Sequence, residues 1–211
     1  MNSQVVTWAG NDAAQLDGSA CGSASLVYVT ALGDPHYGAW LNGGHLDDRA
    51  ELPPEIPRWA RHTPPAYRRE IAQRVMRQRL SAAMWPRWPI ALGTHPLAAA
   101  RIARFGDYRF RVHHLATHAA WEPIWRALRR GVPSLLYVGG GRGERWWRQL
   151  PRHVVVIHRA QHQLAAIYEP ASALRWTLPP AQLPQCEPAR AFGGWTRPYL
   201  AVIADITEEE L

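Results

Sequence analysis

Four short apolar runs in the C-terminal part of the chain constrain the fold more than any other feature. They read "PSLLYVGG", "RHVVVIHR", "QLAAIYEP" and "RPYLAVIA", and turn-forming residues separate them. Apolar runs of this length with turn residues between them predict β-strands. The helical patterns of the chain come before these runs. Helices followed by a series of strands predict an α+β fold.

Two of the helical patterns are long. "CGSASLVYVTAL" predicts a helix that begins at Cys21 or Gly22 and ends at Gly33, with Ser19 as its N-cap. A second helix is predicted over 66–82, because apolar residues recur there at helical spacing while Arg fills the other positions. Its predicted apolar stripe consists of Tyr67, Ile71, Val75, Met76 and Leu80.

The other segments are shorter or less regular. Residues 33–65 are rich in Gly, Pro and Asp, which predicts a long irregular crossing. "WPRWPIALGTHP" predicts a loop and "PLAAARIARF" a short helix. "YRFRVHHL" alternates like a strand, and "AWEPIWRALRR" predicts a helix that Gly131 and Pro133 end. The acidic end "DITEEEL" predicts a frayed tail.

Length and composition predict one domain over residues 1–211. A chain of 211 residues with 47% hydrophobic and 19% charged residues can bury a core without disulfides or metals. The N-terminus lacks a basic segment followed by an apolar run, and no stretch reaches the about 20 apolar residues of a membrane span. These features predict a cytoplasmic protein without a membrane span, and they leave leaderless export open.

The net charge of +7 permits an acidic partner. All 24 basic residues are Arg, and they are spread through amphipathic segments rather than gathered in a run. This distribution is typical of solvated helix faces and argues against nucleic-acid binding.

Cys21 is the first candidate functional residue. The chain has two cysteines, Cys21 and Cys186, too few for a disulfide scaffold. A helix N-terminus favours an anion, and the thiolate is the nucleophilic form of cysteine. Attack on an acyl group creates an oxyanion, for which the Cys21 backbone N–H and the Gln15 side-chain amide are candidate donors. The structural alternative is a buried Cys beside an ordinary Gln.

His153 and Glu169 are the candidate partners of the thiol. His153 opens one predicted strand, and Glu169 ends the next one sixteen residues later. Pairing of these strands would let Glu169 hold one imidazole nitrogen while the other faces the sulfur, which is the base-plus-orienter arrangement of a catalytic triad. The structural alternative is that Glu169 caps a turn with Pro170 or pairs with Arg175.

The order of these residues resembles the papain-like cysteine peptidases, and most closely the bacterial branch that includes the bacteriocin-leader peptidases. "GVPSLLYV", "RHVVVI" and "IYEP" resemble the catalytic strands of that branch. The resemblance covers residues 12–33 and 131–205, and residues 34–118 match no pattern. It implies an N-terminal helical lobe whose central, Cys-bearing helix packs against a C-terminal antiparallel sheet.

The resemblance also implies the role of each residue. Cys21 would be the nucleophile, His153 the general base, Glu169 the orienting residue and Gln15 the oxyanion donor. Glu169 departs from the family pattern, which has Asp or Asn there. No cofactor and no metal are implied.

The predicted function is cysteine-dependent acyl transfer through a thioester on Cys21, with hydrolysis of a protein or peptide substrate as the first choice. Deamidation and transamidation use the same residues and stay open. Two further alternatives are a catalytically inert papain-fold binding module and a deamidase- or transglutaminase-like toxin effector. An inhibitor protein would be the natural partner of such a toxin.

Other residues compete for these roles. His158 and His162 are rival bases, but strand alternation puts His153 and His158 on opposite faces, so only one of them can face Cys21. His114 and His118 have zinc-ligand spacing only if their segment is helical, and it is predicted as strand and loop. Cys186 is expected to be a bystander, and "GGGRGE" (139–144) to be a hairpin loop rather than a phosphate site.

Overall fold

The computed structural model of the chain describes residues 2–47, 51–89, 93–140, 151–159, 164–183 and 189–206. Five α-helices lie in these ranges: α1 (Cys21–Gly33), α2 (Pro35–Leu41), α3 (Pro65–Ala82), α4 (Pro96–Ile102) and α5 (Glu122–Arg129). Short 3-10 turns occur at Arg58–Ala60, His118–Trp121, Pro180–Gln182 and Ala189–Phe192.

Seven of the described strands form one antiparallel sheet in the order β1-β8-β7-β6-β5-β9-β4. The strands of this sheet are β1 (Asn2–Val5), β4 (Phe110–His114), β5 (Ser134–Gly139), β6 (His153–Arg159), β7 (Ala165–Glu169), β8 (Leu174–Leu178) and β9 (Arg197–Ala204). β2 (Thr7–Trp8) and β3 (Asn11–Asp12) form a separate two-stranded ribbon. The predicted α+β class is confirmed, and so are the four apolar strands and the strand at "YRFRVHHL".

Two strands of this sheet were not predicted from the sequence. β1 and β8 pair with each other, and β8 joins the sheet through β7. β1 has the sequence "NSQV" and is exposed along its length. It therefore shows no alternation of apolar and polar residues from which a strand could be predicted. Its position therefore depends on the neighbouring strand rather than on its own composition.

Helix α1 has the predicted bounds, but the predicted cap at Ser19 is wrong. Ala20 is the N-cap residue, and no side chain of the described residues caps it. The Ser19 hydroxyl instead donates to Asp17 Oδ1 at 2.7 Å. The Asp17 carboxylate therefore engages the side chain that would have capped the helix.

The predicted irregular crossing at 33–65 is wrong in part, because it contains α2 and the turn Arg58–Ala60. Asp34 caps α2 by accepting hydrogen bonds from the backbone N–H groups of His36 and Tyr37 at 2.9 and 3.0 Å. Pro35 then occupies the first helical position, where its missing N–H costs nothing. The dipeptide Asp-Pro was the signal for this helix start.

The predicted stripe of α3 is also corrected. Tyr67 is 60% exposed. The buried positions are Arg68, Ala72, Gln73, Met76 and Leu80, and two of these five, Arg68 and Gln73, are polar. Arg68 is satisfied by the carbonyl oxygens of Thr63, Trp40 and Gly44 at 2.7 to 2.8 Å. Backbone partners thus allow polar side chains to face the interior.

Helix α1 is the centre of the packing. Each of its residues from Cys21 to Thr30 is buried, as expected for a helix surrounded by other elements. Its neighbours are α2, α3 and the face of the sheet that carries Val154, Val156 and Tyr168. The opposite face of the sheet packs against α5 and the turn Ala189–Phe192. The predicted packing of a Cys-bearing helix against a C-terminal antiparallel sheet is confirmed, while the single-domain assignment stays a prediction.

No helix within the described ranges is long and apolar enough to span a bilayer.

Candidate active site

Cys21 is the first residue of α1 and is 4% exposed. One turn further along the helix, the buried hydroxyl of Ser25 donates to the carbonyl oxygen of Val154 at 3.1 Å. Val154 follows His153, so this bond fixes the start of α1 beside the start of β6. The thiol is thereby placed at the end of the sheet where the imidazole lies.

The imidazole of His153 bridges the thiol and a carboxylate. Its Nε2 lies 2.6 Å from Oε1 of Glu169, and the Cys21 side chain lies beside the same ring, where it helps to raise the pKa of His153. Because Glu169 engages Nε2, Nδ1 is left for the sulfur. Burial acts to lower the pKa of His153, but the hydrogen bonds and charges of Cys21 and Glu169 outweigh burial and raise that pKa to about 9.

Glu169 ends β7 and is 2% exposed. Besides His153, its carboxylate accepts the backbone N–H groups of Ala171 and Ser172 at 2.7 and 2.8 Å, and the Ser172 hydroxyl at 2.5 Å. Burial acts to raise the pKa of Glu169, but the hydrogen bonds from His153, Ser172 and Ala171 lower it below its usual range. A buried and ionised carboxylate is therefore held against the imidazole.

The two interpretations of Glu169 from the sequence turn out to be compatible. The side chain caps the turn after β7 and contacts His153 with the same carboxylate. The turn N–H groups fix the longer Glu side chain in place, which compensates for its additional methylene. Arg175, the other suggested partner, hydrogen-bonds to Gln4 on the neighbouring strand β1.

Gly193 covers the pair of His153 and Glu169, and it was not among the residues predicted for the site. A Cβ on Gly193 would lie 2.9 Å from Cδ2 and Nε2 of His153 and 3.2 Å from Oε1 of Glu169. Its φ of +65° also favours glycine. The pair "GG" in "AFGGWT" was a signal for a special backbone conformation, but it could not indicate which side chains lie beneath it.

Gln15 lies in the segment that precedes α1, and its backbone N–H donates to the carbonyl oxygen of Pro170 at 2.7 Å. This bond joins the Gln15 segment to the residue directly after Glu169. The Gln15 side chain donates one amide N–H to the Asp17 carbonyl oxygen at 2.8 Å. A primary amide carries two N–H groups, so one more remains for another acceptor.

The start of α1 is covered by Thr94. A Cβ on Gly22 would lie 2.1 Å from Oγ1 and 2.4 Å from Cβ of Thr94. Ser19, Ser23 and Trp88 line a small cavity beside this contact. The glycine at position 22 thus leaves room for the side chain of Thr94, which packs against it.

His158 lies away from Cys21. Its Nε2 lies 3.1 Å from the hydroxyl of Tyr28, seven residues further along α1 than Cys21. Seven helical residues span about 10 Å. By strand alternation His158 shares the α1-facing side of the sheet with Val154 and Val156, so its distance along the helix, rather than the face it occupies, separates it from the thiol.

The other candidate residues do not form a second site among the described residues. His114 lies in β4 and His118 in the following 3-10 turn, so they do not share a helix. Among the described residues, no three His, Cys, Asp or Glu side chains are grouped to hold a metal ion. His162, Cys186 and residues 141–144 of the "GGGRGE" segment lie outside the described residues.

The chain was compared with family models, curated proteins and solved structures. No protein-family model and no curated protein matches the chain. Among solved structures, the chain is similar to a double glycine motif protease from an AMS/PCAT transporter, crystallised in complex with the leader peptide. The two share 16% sequence identity over 98% of this chain and 93% of that chain, with a TM-score of 0.44.

Proposed function

We propose that the chain is a papain-like, cysteine-dependent acyl-transfer enzyme that hydrolyses an amide bond of a protein or peptide through a thioester on Cys21. One observation carries this proposal: the buried imidazole of His153 lies between the Cys21 thiol, which helps to raise its pKa, and the Glu169 carboxylate, to which it is hydrogen-bonded. A nucleophile, a base and an orienting group in this order form the arrangement that acyl transfer requires.

Acylation begins from the Cys21 thiolate and the protonated imidazole of His153, whose pKa is raised to about 9. The Cys21 thiolate then attacks the carbonyl carbon of the substrate, and a C–S bond forms while the carbonyl oxygen becomes an oxyanion. The Cys21 backbone N–H and the second amide N–H of Gln15 donate to that oxygen. When the intermediate collapses, His153 gives its proton to the leaving nitrogen, the C–N bond breaks and an amine departs.

Deacylation uses the same groups in reverse. His153 removes a proton from water, the oxygen of water attacks the thioester carbon, and the C–S bond breaks to give a carboxylic acid, the Cys21 thiolate and the protonated imidazole of His153. Glu169 stabilises the imidazolium in both halves, since its carboxylate is buried and fixed by the turn at Ala171–Ser172. An amine in place of water would give transamidation, and a Gln side chain as the acyl donor would give deamidation.

The test is to trap the acyl-enzyme. The full chain is mixed with p-nitrophenyl acetate, quenched in acid and digested, and mass spectrometry locates the acetyl group. We expect it on Cys21 in the parent and in the matched control Cys186→Ala, and we expect none at that position in Cys21→Ala or His153→Ala. A parent protein whose Cys21 stays unmodified would be an inert binding module, and the proposal would be wrong.

A second step identifies the reaction. The protein is incubated with a mixed peptide library, with and without an added primary amine, and products are sequenced by mass spectrometry. New peptide ends indicate hydrolysis, amine adducts indicate transamidation, and conversion of Gln to Glu indicates deamidation. Each product must be absent with Cys21→Ala.

A further inference from the structure

Gln73 is a buried polar side chain in the middle of α3, in the part of the chain that resembles no known pattern. It is 1% exposed. Its Nε2 donates to the carbonyl oxygen of Ala14 at 2.9 Å, and its Oε1 accepts the backbone N–H of Leu16 at 3.0 Å. One amide therefore bonds to both peptide groups that flank Gln15.

The segment around Gln15 depends on such side chains. Residues 13–19 lie outside helices and strands, so no helix or sheet ladder satisfies their backbone groups. Arg69 donates to the carbonyl oxygens of Asp12 and Ala14, both at 3.0 Å, and the Tyr168 hydroxyl donates to Ala13. Gln73 differs from these residues because it bonds on both sides of Gln15.

We propose that Gln73 is a positioning residue that fixes the backbone of Gln15 so that the Gln15 amide meets the oxyanion. This inference rests on the proposed function. An oxyanion donor stabilises the transition state only if it is already in place when the charge develops. Bonds to Ala14 and Leu16 restrict the backbone on either side of Gln15. The side chain of Gln15 then starts from a fixed Cα, with its own backbone N–H held by Pro170.

Gln is the residue type that this contact requires. The side chain must donate to Ala14 and accept from Leu16 at the same time, and a primary amide does both. An ionised Glu at position 73 could accept from Leu16 but would face the Ala14 carbonyl without a proton. A protonated Glu could make both bonds. The pH dependence of Gln73→Glu therefore reports on this contact directly.

The experiment compares two reactions of Cys21. Acetylation by p-nitrophenyl acetate passes through an oxyanion, whereas alkylation by iodoacetamide does not. The variants are Gln73→Leu, Gln73→Glu, Gln15→Ala and the double variant Gln15→Ala/Gln73→Leu. Met76→Ala is the matched control, because Met76 is buried one turn away on α3 and is not part of the Gln15 contacts.

We expect Gln73→Leu to slow acetylation about 10- to 100-fold, a part of the roughly 100- to 1,000-fold that removal of an oxyanion donor costs. Alkylation should stay within about twofold of the parent, because that reaction needs no oxyanion donor. In the Gln15→Ala background, Gln73→Leu should have little further effect, since two residues that act as a unit are not additive. Gln73→Glu should approach the parent rate as the pH falls, and Met76→Ala should acetylate normally.

The outcomes separate this inference from the proposed function. If Gln15→Ala is slow but Gln73→Leu acetylates like the parent, the role of Gln73 is wrong and the proposed function stands. A full additional loss from Gln73→Leu in the Gln15→Ala background also overturns that role. If Cys21 of the parent is never acetylated, both proposals fall. If Gln73→Leu does not fold, the test is the pH dependence of the acetylation rate in Gln73→Glu. If that rate stays in a constant ratio to the rate of the parent at every pH, the role of Gln73 is wrong.

Discussion

His153 and Glu169 are joined at 2.6 Å through Nε2 and Oε1, at the start of one strand and the end of its neighbour. The same Oε1 accepts the N–H of Ala171, and Oε2 accepts the N–H of Ser172. All the partners of this carboxylate are donors. A group that must accept on both oxygens cannot be replaced by an amide without loss, because an amide has one accepting end.

Glu169→Gln is therefore expected to weaken the site in either orientation of the amide. If the amide oxygen faces His153, the NH2 group faces the N–H of Ser172; if it is reversed, the NH2 group faces the imidazole. We expect acetylation of Cys21 to fall roughly 100-fold and Cys21→Ala to abolish it. NMR titration should show the pKa of His153 fall from about 9 toward its ordinary value, because the charge of Glu169 helps to raise it. Glu70→Gln, on the exposed side of α3, is the control and should change neither quantity.

Alkylation should distinguish the two cysteines. His153 is protonated below its pKa of about 9, and a protonated imidazole stabilises a thiolate at the sulfur it contacts. A limiting dose of iodoacetamide near pH 6 should label Cys21 well before Cys186. His153→Ala should remove this preference, whereas His158→Ala should keep it, since His158 contacts Tyr28 instead. Faster labelling of Cys186 in the parent would count against the site.

The raised pKa of His153 also predicts how stability depends on pH. The folded state binds this proton with a pKa of about 9 and the unfolded state with a pKa of 6.5. Folding is therefore stabilised fully below pH 6.5, and this contribution is lost as the pH rises through 9. We expect the free energy of unfolding in urea to fall by roughly 1–3 kcal/mol over that range.

His153→Gln should remove that fall in stability. His118→Gln, which replaces an exposed histidine, should keep it. Equal slopes in the parent and in His153→Gln would show that the proton is bound elsewhere.

Two adjacent glycines allow backbone strain to be separated from contact with the site. Both have positive φ, +65° at Gly193 and +86° at Gly194. A Cβ at Gly194 would meet no atom of the described residues within 4 Å, whereas one at Gly193 would overlap the His153 ring. Gly194→Ala should cost about 1–2 kcal/mol of stability and leave acetylation unchanged. Gly193→Ala should cost at least as much and slow acetylation about 10- to 100-fold. Equal acetylation rates for the two variants would mean that Gly193 does not hold the imidazole.

Much of the candidate site could be predicted because its residues lie at the ends of elements. Cys21 begins a helix, His153 begins a strand and Glu169 ends one, and such ends are marked by turn residues in the sequence. Strand pairing then brings two of these ends together without knowledge of side-chain packing. Their geometric proximity was thus accessible, while their roles stay predictions.

The supporting residues could not be predicted, because their reasons lie in distant parts of the chain. The buried side chain of Gln73 accepts the backbone N–H of Leu16, which is 57 residues away in the sequence. The apolar pattern of α3 does not indicate that partner. Gly193 has no room for a Cβ because of His153 and Glu169, which lie on two strands earlier in the chain. Tyr67 was placed inside by helical spacing, but Arg68 occupies that side because three carbonyl groups accept from it. Tertiary contacts decided each of these cases: hydrogen bonds for Gln73 and Arg68, and steric overlap for Gly193.

The contact between Gly22 and Thr94 gives a last prediction, which concerns the start of α1. Ala is favoured over Gly inside a helix by about 1 kcal/mol, so Gly22→Ala would stabilise an unobstructed helix. Here its Cβ would lie 2.1 Å from Oγ1 and 2.4 Å from Cβ of Thr94, and overlap of this kind costs roughly 1–3 kcal/mol. We expect Gly22→Ala to lower the free energy of unfolding in the parent background. In the Thr94→Gly background the overlapping atoms are gone, and the same substitution should be neutral or stabilising.

The measurement is a double-mutant cycle from urea unfolding of the four proteins. The rate of iodoacetamide labelling of Cys21 is measured as well, because it reports on the first residue of α1. An identical cost of Gly22→Ala in both backgrounds would show that the substitution acts through the backbone of α1 and that Thr94 does not restrict the residue beside the thiol.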